Sequence, residues 1–234
     1  MSVGDAKKLA AVVRRAASRA EEGYELACPC AFSASDDGAL SELVYSLFLY
    51  DAASAQARNA YRRAREAFHG LNELRVCSPE DVCAALGERY PGGEERAARI
   101  RCCLGAVFVH GQTLTLAHLT GSTRKQVREA LESIEGCHPF AAARVALLRF
   151  EQPCVPVDGK LLGLLVAEGV FTEGTTAAQA SQFIEREWKG KPIAPLVAAL
   201  QQWADGAPPP SPSQAPAKRS NRKKTAPVKP AARS

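Results

Sequence analysis

Apolar and polar positions follow one another along this chain in helical rather than strand fashion. Ala and Leu are abundant and β-branched runs are rare, so the pattern predicts an all-α protein. A first amphipathic helix is expected over residues 5–22, with Asp5 as its N-cap. Residues 28–37 read as a loop, 40–51 as a strongly apolar buried helix, and 54–69 as a charged amphipathic one. The run Ser78-Pro79-Glu80-Asp81 is a helix start, with a capping hydroxyl, a proline in the first turn and acids against the macrodipole. Tyr90-Pro91-Gly92-Gly93 breaks the chain before a helix over 94–109, and Ser122 is expected to cap another over 123–133. A short turn, Ile134-Glu135-Gly136-Cys137-His138, leads into a helix over 139–150. Pro153 and Pro156 keep 151–157 out of any helix, and Asp158 opens the next, over 159–168, which Gly169 stops. Helices over about 175–188 and 192–204 complete a body spanning 1–206.

Composition refines this picture in three places. With 46% hydrophobic and 24% charged residues in 234, the chain can bury a sizeable core. No stretch approaches the roughly 20 apolar residues of a membrane span, and Arg14 and Arg15 interrupt the N-terminal apolar run, so no secretory signal is read. The expectation is a cytoplasmic, nucleoid-associated monomer with no membrane partner. The eight cysteines contain no CxxC pair, and Cys28-x-Cys30 is too tight for an ordinary zinc site, so most are expected to be buried thiols and no metal is expected. The net charge of +5 is unevenly placed. Residues 207–234 hold seven bases, seven of the 15 prolines and no acid, which leaves the body with 23 bases against all 25 acids. The tail is expected to be disordered, a basic arm of the kind that condenses on nucleic acid.

The most informative segment is 134–158. A helix, a Gly-containing hairpin, a second helix, a Pro-rich excursion and then Val157-Asp158 at a helix start form a specific order of parts. It resembles the helix-hairpin-helix superfamily of DNA glycosylases, endonuclease III most of all, over roughly residues 41–169. Residues 42–52 (ELVYSLFLYDA) and 96–100 (RAARI) echo two further family segments. The resemblance implies a double-stranded DNA partner. It implies a hairpin at Gly136, Cys137 and His138 whose backbone N–H groups meet a phosphate, and a catalytic carboxylate at Asp158. Such a carboxylate stabilises positive charge growing on the sugar of a flipped-out nucleotide, or orients a water. Asp158 is equally suited to capping its helix, and the two roles are compatible.

Departures from the family pattern narrow the chemistry. The Schiff-base lysine of bifunctional members falls at Phe140, which has no amine, so lyase chemistry is not expected. The family's capping Gln falls at Ala52 and the hairpin's second glycine at His138. The last cysteine, Cys154, precedes Asp158, so the family's iron–sulfur ligands are missing and no cofactor is expected. Lys160 is either a phosphate contact or a solvated surface lysine. His69, His110 and His118 read as structural, Asp36-Asp37 and Glu94-Glu95 as solvated acids, and Trp188 and Trp203 as packing residues. In the tail, Lys218, Arg219, Arg222, Lys223 and Lys224 are the candidate DNA contacts. Three functions stay open: a monofunctional, Asp158-dependent DNA N-glycosylase, a catalytically inactive protein of the same fold that recognises damaged or bent duplex, or a helical interaction module that shares only the fold and has no basic face around the hairpin. One structural discriminator is whether Arg99, Arg101, Arg124, Lys125, Arg128 and Arg144 gather around the hairpin.

Overall fold

A computed structural model describes residues 3–21, 23–87 and 90–207. The candidate contacts Lys218, Arg219, Arg222, Lys223 and Lys224 lie outside them. Eleven α-helices and one 3-10 turn, Ala117–Leu119, make up the described fold, and its one β-bridge joins Gly4 to Phe171. The helices are α1 (Ala6–Ala17), α2 (Gly38–Leu49), α3 (Ser54–Ala67), α4 (Leu71–Val76), α5 (Pro79–Leu86), α6 (Gly93–Gly111), α7 (Arg124–Ser133), α8 (Pro139–Arg149), α9 (Gly159–Ala167), α10 (Ala177–Glu187) and α11 (Ile193–Gly206).

Most helix starts carry the side chain that the exposed first-turn amides require. Asp5 accepts from Lys7 N and Lys8 N at 2.9 and 3.1 Å, and Ser78 from Asp81 N at 3.1 Å. The start of α7 lies one residue beyond the expected position. Thr123, not Ser122, is the cap, because only Thr123 stands three residues before Gln126 and closes a capping box with it. Asp37 is not a solvated acid. It caps α2 through Ala39 N, and its other oxygen accepts from the Thr115 hydroxyl at 2.6 Å and Leu116 N at 2.8 Å, tying α2 to the segment after α6. Asp36 likewise accepts from Leu71 N at 3.1 Å. Of the cysteines, Cys28, Cys103 and Cys154 are buried, Cys30 is exposed, and the rest are half-buried.

Burial divides the molecule into two cores. The first gathers α2 to α8 around α2, whose Leu40, Leu43, Val44 and Phe48 are fully buried. Tyr61 of α3 sits at its centre, edge-on to Phe32, Tyr45 and Phe48. The second core is built from both ends of the described chain: Leu9, Val12 and Val13 of α1 pack with α9, α10 and α11. Trp188 and Trp203 are half-buried against it. Segment 151–157 carries the chain across. Cys154 still belongs to the first core, whereas Val155 and Val157 belong to the second. Asp158 is the next residue and stands at the seam. Among the described residues, no helix is long and apolar enough to cross a membrane.

Arg144, one of the six cations whose grouping around the hairpin is the structural discriminator, is not available to a ligand. It is not on the hairpin surface but fully buried, paired at 3.1 Å with the equally buried Glu42. Its guanidinium also donates to the Ser46 hydroxyl at 3.1 Å and to the Leu26 carbonyl. The second Glu42 oxygen accepts from Cys28 N at 2.8 Å, so one carboxylate of α2 joins α8 to the loop that returns from α1.

Candidate active site

The hairpin between α7 and α8 is closed by Cys137 N donating to the Ile134 carbonyl at 3.0 Å. Gly136 takes φ +81°, a left-handed backbone that side chains disfavour. A Cβ there would also sit 3.0 Å from Cys102 Cβ and 3.2 Å from the Arg99 carbonyl, so glycine is required on two counts. His138 does not need a glycine's freedom: its φ is −83°, and it serves as the α8 N-cap. Its Nδ1 accepts from Phe140 N at 3.3 Å, which leaves the ring proton of the neutral form on Nε2. Burial, with Arg99 nearby, pushes the imidazole down to about 4, against the opposing pull of Asp51 and Glu95. The amides of Gly136 and His138 meet no acceptor among the described residues, whereas that of Cys137 is engaged in the turn.

The other half of the site is made where α2 ends. Tyr50 turns the chain, and Asp51 follows at φ 52°, in the left-handed region that Asp tolerates better than most residues. That turn points Asp51 N at Asp158 Oδ2, 3.2 Å away. Asp158 Oδ1 accepts from Leu161 N at 2.8 Å as the α9 N-cap. Asp51 uses the same helix start, its Oδ1 accepting from Lys160 N at 3.0 Å. Two carboxylates therefore share the first turn of α9. Asp158 is 4% exposed. Burial, reinforced by the negative Asp51, pushes its carboxyl up to about 6, against the two backbone N–H donors.

Tyr50 links the two halves. Its ring lies on His138 with centroids 3.8 Å apart and reaches Phe140 at 5.8 Å. Burial raises the Tyr50 hydroxyl well above its ordinary range, with Asp51 and Asp158 adding to the effect. Phe140 is 2% exposed and presents only a ring where the resemblance puts an amine. His138, Phe140, Val155 and Val157 wall a cavity of about 370 Å³ that extends to Ser181 and Glu185 of α10. Asp158 is not among its walls.

Lys160 is not a solvated surface lysine. Its side chain is 15% exposed and its Nζ lies 3.6 Å from Asp205 Oδ1. Four of the remaining candidate cations are paired with acids. Arg99 pairs with Glu95 at 3.1 Å, Arg128 with Glu132 at 2.8 Å, Lys125 with Glu129 at 3.8 Å, and Arg124 with Glu185. Arg101 lines a larger cavity, about 900 Å³, between α6 and α7, together with His110 and His118. Among the described residues, no three His, Cys, Asp or Glu side chains are grouped to hold a metal ion.

The sequence pointed to Asp158, Gly136 and His138, and the structure brings Asp158 and His138 to the turn at Tyr50 and Asp51, with Gly136 packed against Cys102 and Arg99 of α6. It did not point to Tyr50, Asp51 or Gly159. The signal available was Gly159 directly after Asp158: a Cβ there would come 3.0 Å from Asp51 Oδ1.

Solved structures share this arrangement of helices. A trapped endonuclease III–DNA covalent intermediate superposes with a TM-score of 0.62 at 10% identity, with 85% of each chain covered. A 3-methyladenine DNA glycosylase of H. pylori, MagIII, bound to 1,N6-ethenoadenine, gives 0.58 at 13%, covering 85% of this chain and 94% of that one. A thermostable thymine-DNA glycosylase gives 0.56 at 12%, covering 85% and 86%. No protein-family model matches the sequence, and no curated protein does. At these identities the likeness is one of fold, and the chain has the helix-hairpin-helix DNA-glycosylase fold.

Proposed function

We propose that this protein binds duplex DNA and hydrolyses the N-glycosidic bond of a nucleotide turned out of the stack, without cutting the backbone. The observation that carries this reading is Asp158: a buried carboxylate, fixed by two backbone donors at a helix start, beside a hairpin with two free amides. The solved neighbours include an endonuclease III held with DNA and a glycosylase bound to 1,N6-ethenoadenine.

In the proposed reaction the glycosidic bond breaks and the base leaves with the electron pair. The Asp158 carboxylate stabilises the positive charge that grows on the sugar. A water oxygen then bonds to C1′, and its proton passes to Asp158. Phe140 offers no nitrogen to attack C1′, so no imine forms and the abasic product keeps its backbone intact. The hairpin amides of Gly136 and His138, and the Nε2–H of His138, suit a phosphate oxygen.

A second reading, binding without turnover, is favoured by one observation: the buried Phe140 ring stands where the resemblance puts the family's lysine, and Asp158 is not among the walls of the cavity beside it. One experiment separates the two. Duplexes carrying uracil, an oxidised pyrimidine, an alkylated base or a mismatched adenine are incubated with the protein and then treated with alkali. Cleavage that needs the alkali and disappears in Asp158→Asn supports the glycosylase. No cleavage on any duplex, with tight binding to an abasic analogue, supports the binder.

A further inference from the structure

Asp51 lies in the 42–52 segment that echoes the family, where the resemblance gives it no role, and it touches Asp158 and the helix that carries it. Its amide donates to Asp158 Oδ2 at 3.2 Å, and its carboxylate accepts from Lys160 N at 3.0 Å. Two features of the chain are needed for this. The residue takes a left-handed backbone, φ 52°, which aims the amide across the seam. Gly159 carries no Cβ, and one there would crowd Asp51 Oδ1 at 3.0 Å and Oδ2 at 3.3 Å. The nearest cation is directed elsewhere. Lys160 Nζ reaches Asp205, whose carboxylate is itself held by Ser54 N at 3.1 Å and the Tyr24 hydroxyl at 3.4 Å.

We propose that Asp51 is a positioning residue for Asp158: its amide fixes one carboxylate oxygen, and its negative charge makes Asp158 a stronger base towards water than an ordinary carboxylate. This rests on the glycosidic hydrolysis proposed above. The physical argument is competition for one helix start. The partial positive charge at the α9 N-terminus stabilises one anion well, and here it is shared by two. The more buried of the two, Asp158, is the costlier to ionise. The groups facing Asp158 are few. Tyr50 and Asp51 come from the turn after α2 and Lys160 from α9, with Asp205 of α11 behind Lys160. Arg99 and His138 meet the site through Tyr50.

The test is a titration of the Asp158 carboxyl by carbon NMR in the full chain, unaltered and with Asp51→Asn. Asn tolerates the left-handed backbone and keeps the amide, so this variant removes the charge alone. The midpoint is expected to fall measurably, by up to about one pH unit, since a like charge at this range raises a carboxyl and the exposed Asp51 carboxylate is partly screened by solvent. Asp51→Glu is expected to restore most of the shift. Gly159→Ala, which pushes the Asp51 carboxylate away, should move the midpoint in the same direction as Asp51→Asn. An unchanged midpoint in Asp51→Asn overturns the proposal. Where a duplex is turned over, the acid limb of kcat/KM must move with the midpoint, and a limb that stays in place also overturns it. Where no duplex is turned over, the glycosylase reading fails while the titration still decides the role of Asp51 towards Asp158.

Discussion

At the scale of single residues, Asp158 and His138 set opposite dependences of stability on pH. Asp158 binds its proton near 3.8 in an unfolded chain and near 6 when folded. Its contribution to stability is therefore complete below 3.8 and is lost as pH rises through 6, by up to about 3 kcal/mol. His138 falls from 6.5 to about 4 on folding. Its contribution is complete above 6.5 and is lost as pH falls through 4, and it is the smaller of the two because its ring is partly open to solvent. Between these limits the two slopes oppose each other. Asp158→Asn leaves only the histidine slope. It is expected to be more stable than the unaltered protein at pH 7 by about 2 kcal/mol, once about 1 kcal/mol is deducted for the weakened Asp51 N–H bond. At pH 4 the two proteins are expected to match. Urea unfolding at both values checks this, and an equal gain at both would assign the effect to packing rather than titration. The residue to which the proposed reaction assigns the chemistry is thus one that stability at neutral pH disfavours, which is a reason to expect it at a functional position.

Several helix starts were legible in the sequence from one side chain, although the caps Asp37 and Thr123 were not read as such. Asp5, Ser78 and Asp158 open their helices where the pattern puts them, because a cap is read from three or four consecutive residues. The six-residue α4 passed unseen, being too short to show a helical period. Long-range partners were not legible at all. Arg144 and Glu42 are 102 positions apart, and nothing local in either segment marks the pair. The same holds for Asp51, whose role depends on one left-handed residue at a helix end and on a glycine more than a hundred positions later. The Arg144–Glu42 pair carries an expectation at this scale. Glu42→Ala leaves a guanidinium buried without its counter-charge between α2 and α8, and costs about 3–5 kcal/mol. Guanidinium unfolding measures it. A cost below about 1 kcal/mol would mean that water reaches Arg144, and that the pair is not what joins the two helices.

For the whole molecule, charge is the property that the fold redistributes most. In the described body Arg99, Arg124, Lys125 and Arg128 are each paired with an acid, so the proposed function assigns long-range attraction to a polyanion to the seven bases of the tail, which lie outside the described residues. Removing 207–234 takes seven positive charges and no negative ones. If all seven meet phosphates, the slope of log K against log salt should lessen by roughly 6, while discrimination between a damaged and an intact duplex stays the same. Binding isotherms at several salt concentrations decide this, and an unchanged slope would remove the tail from the interface.

The second core is assembled from α1 together with α9, α10 and α11, with the whole first core inserted between. During synthesis, α1 must therefore wait. Leu9, Val12 and Val13 belong to a core whose other buried members begin at Val155, well over a hundred residues later, whereas α2 to α8 make their contacts over shorter loops. Contacts at such separation are slow to form, and domains fold in the order in which they are completed. The hairpin core is expected to be native before Asp158 acquires its burial. A chain interrupted before α11 would carry the hairpin and an exposed α1 face, a combination suited to being held by a chaperone rather than to chemistry on DNA.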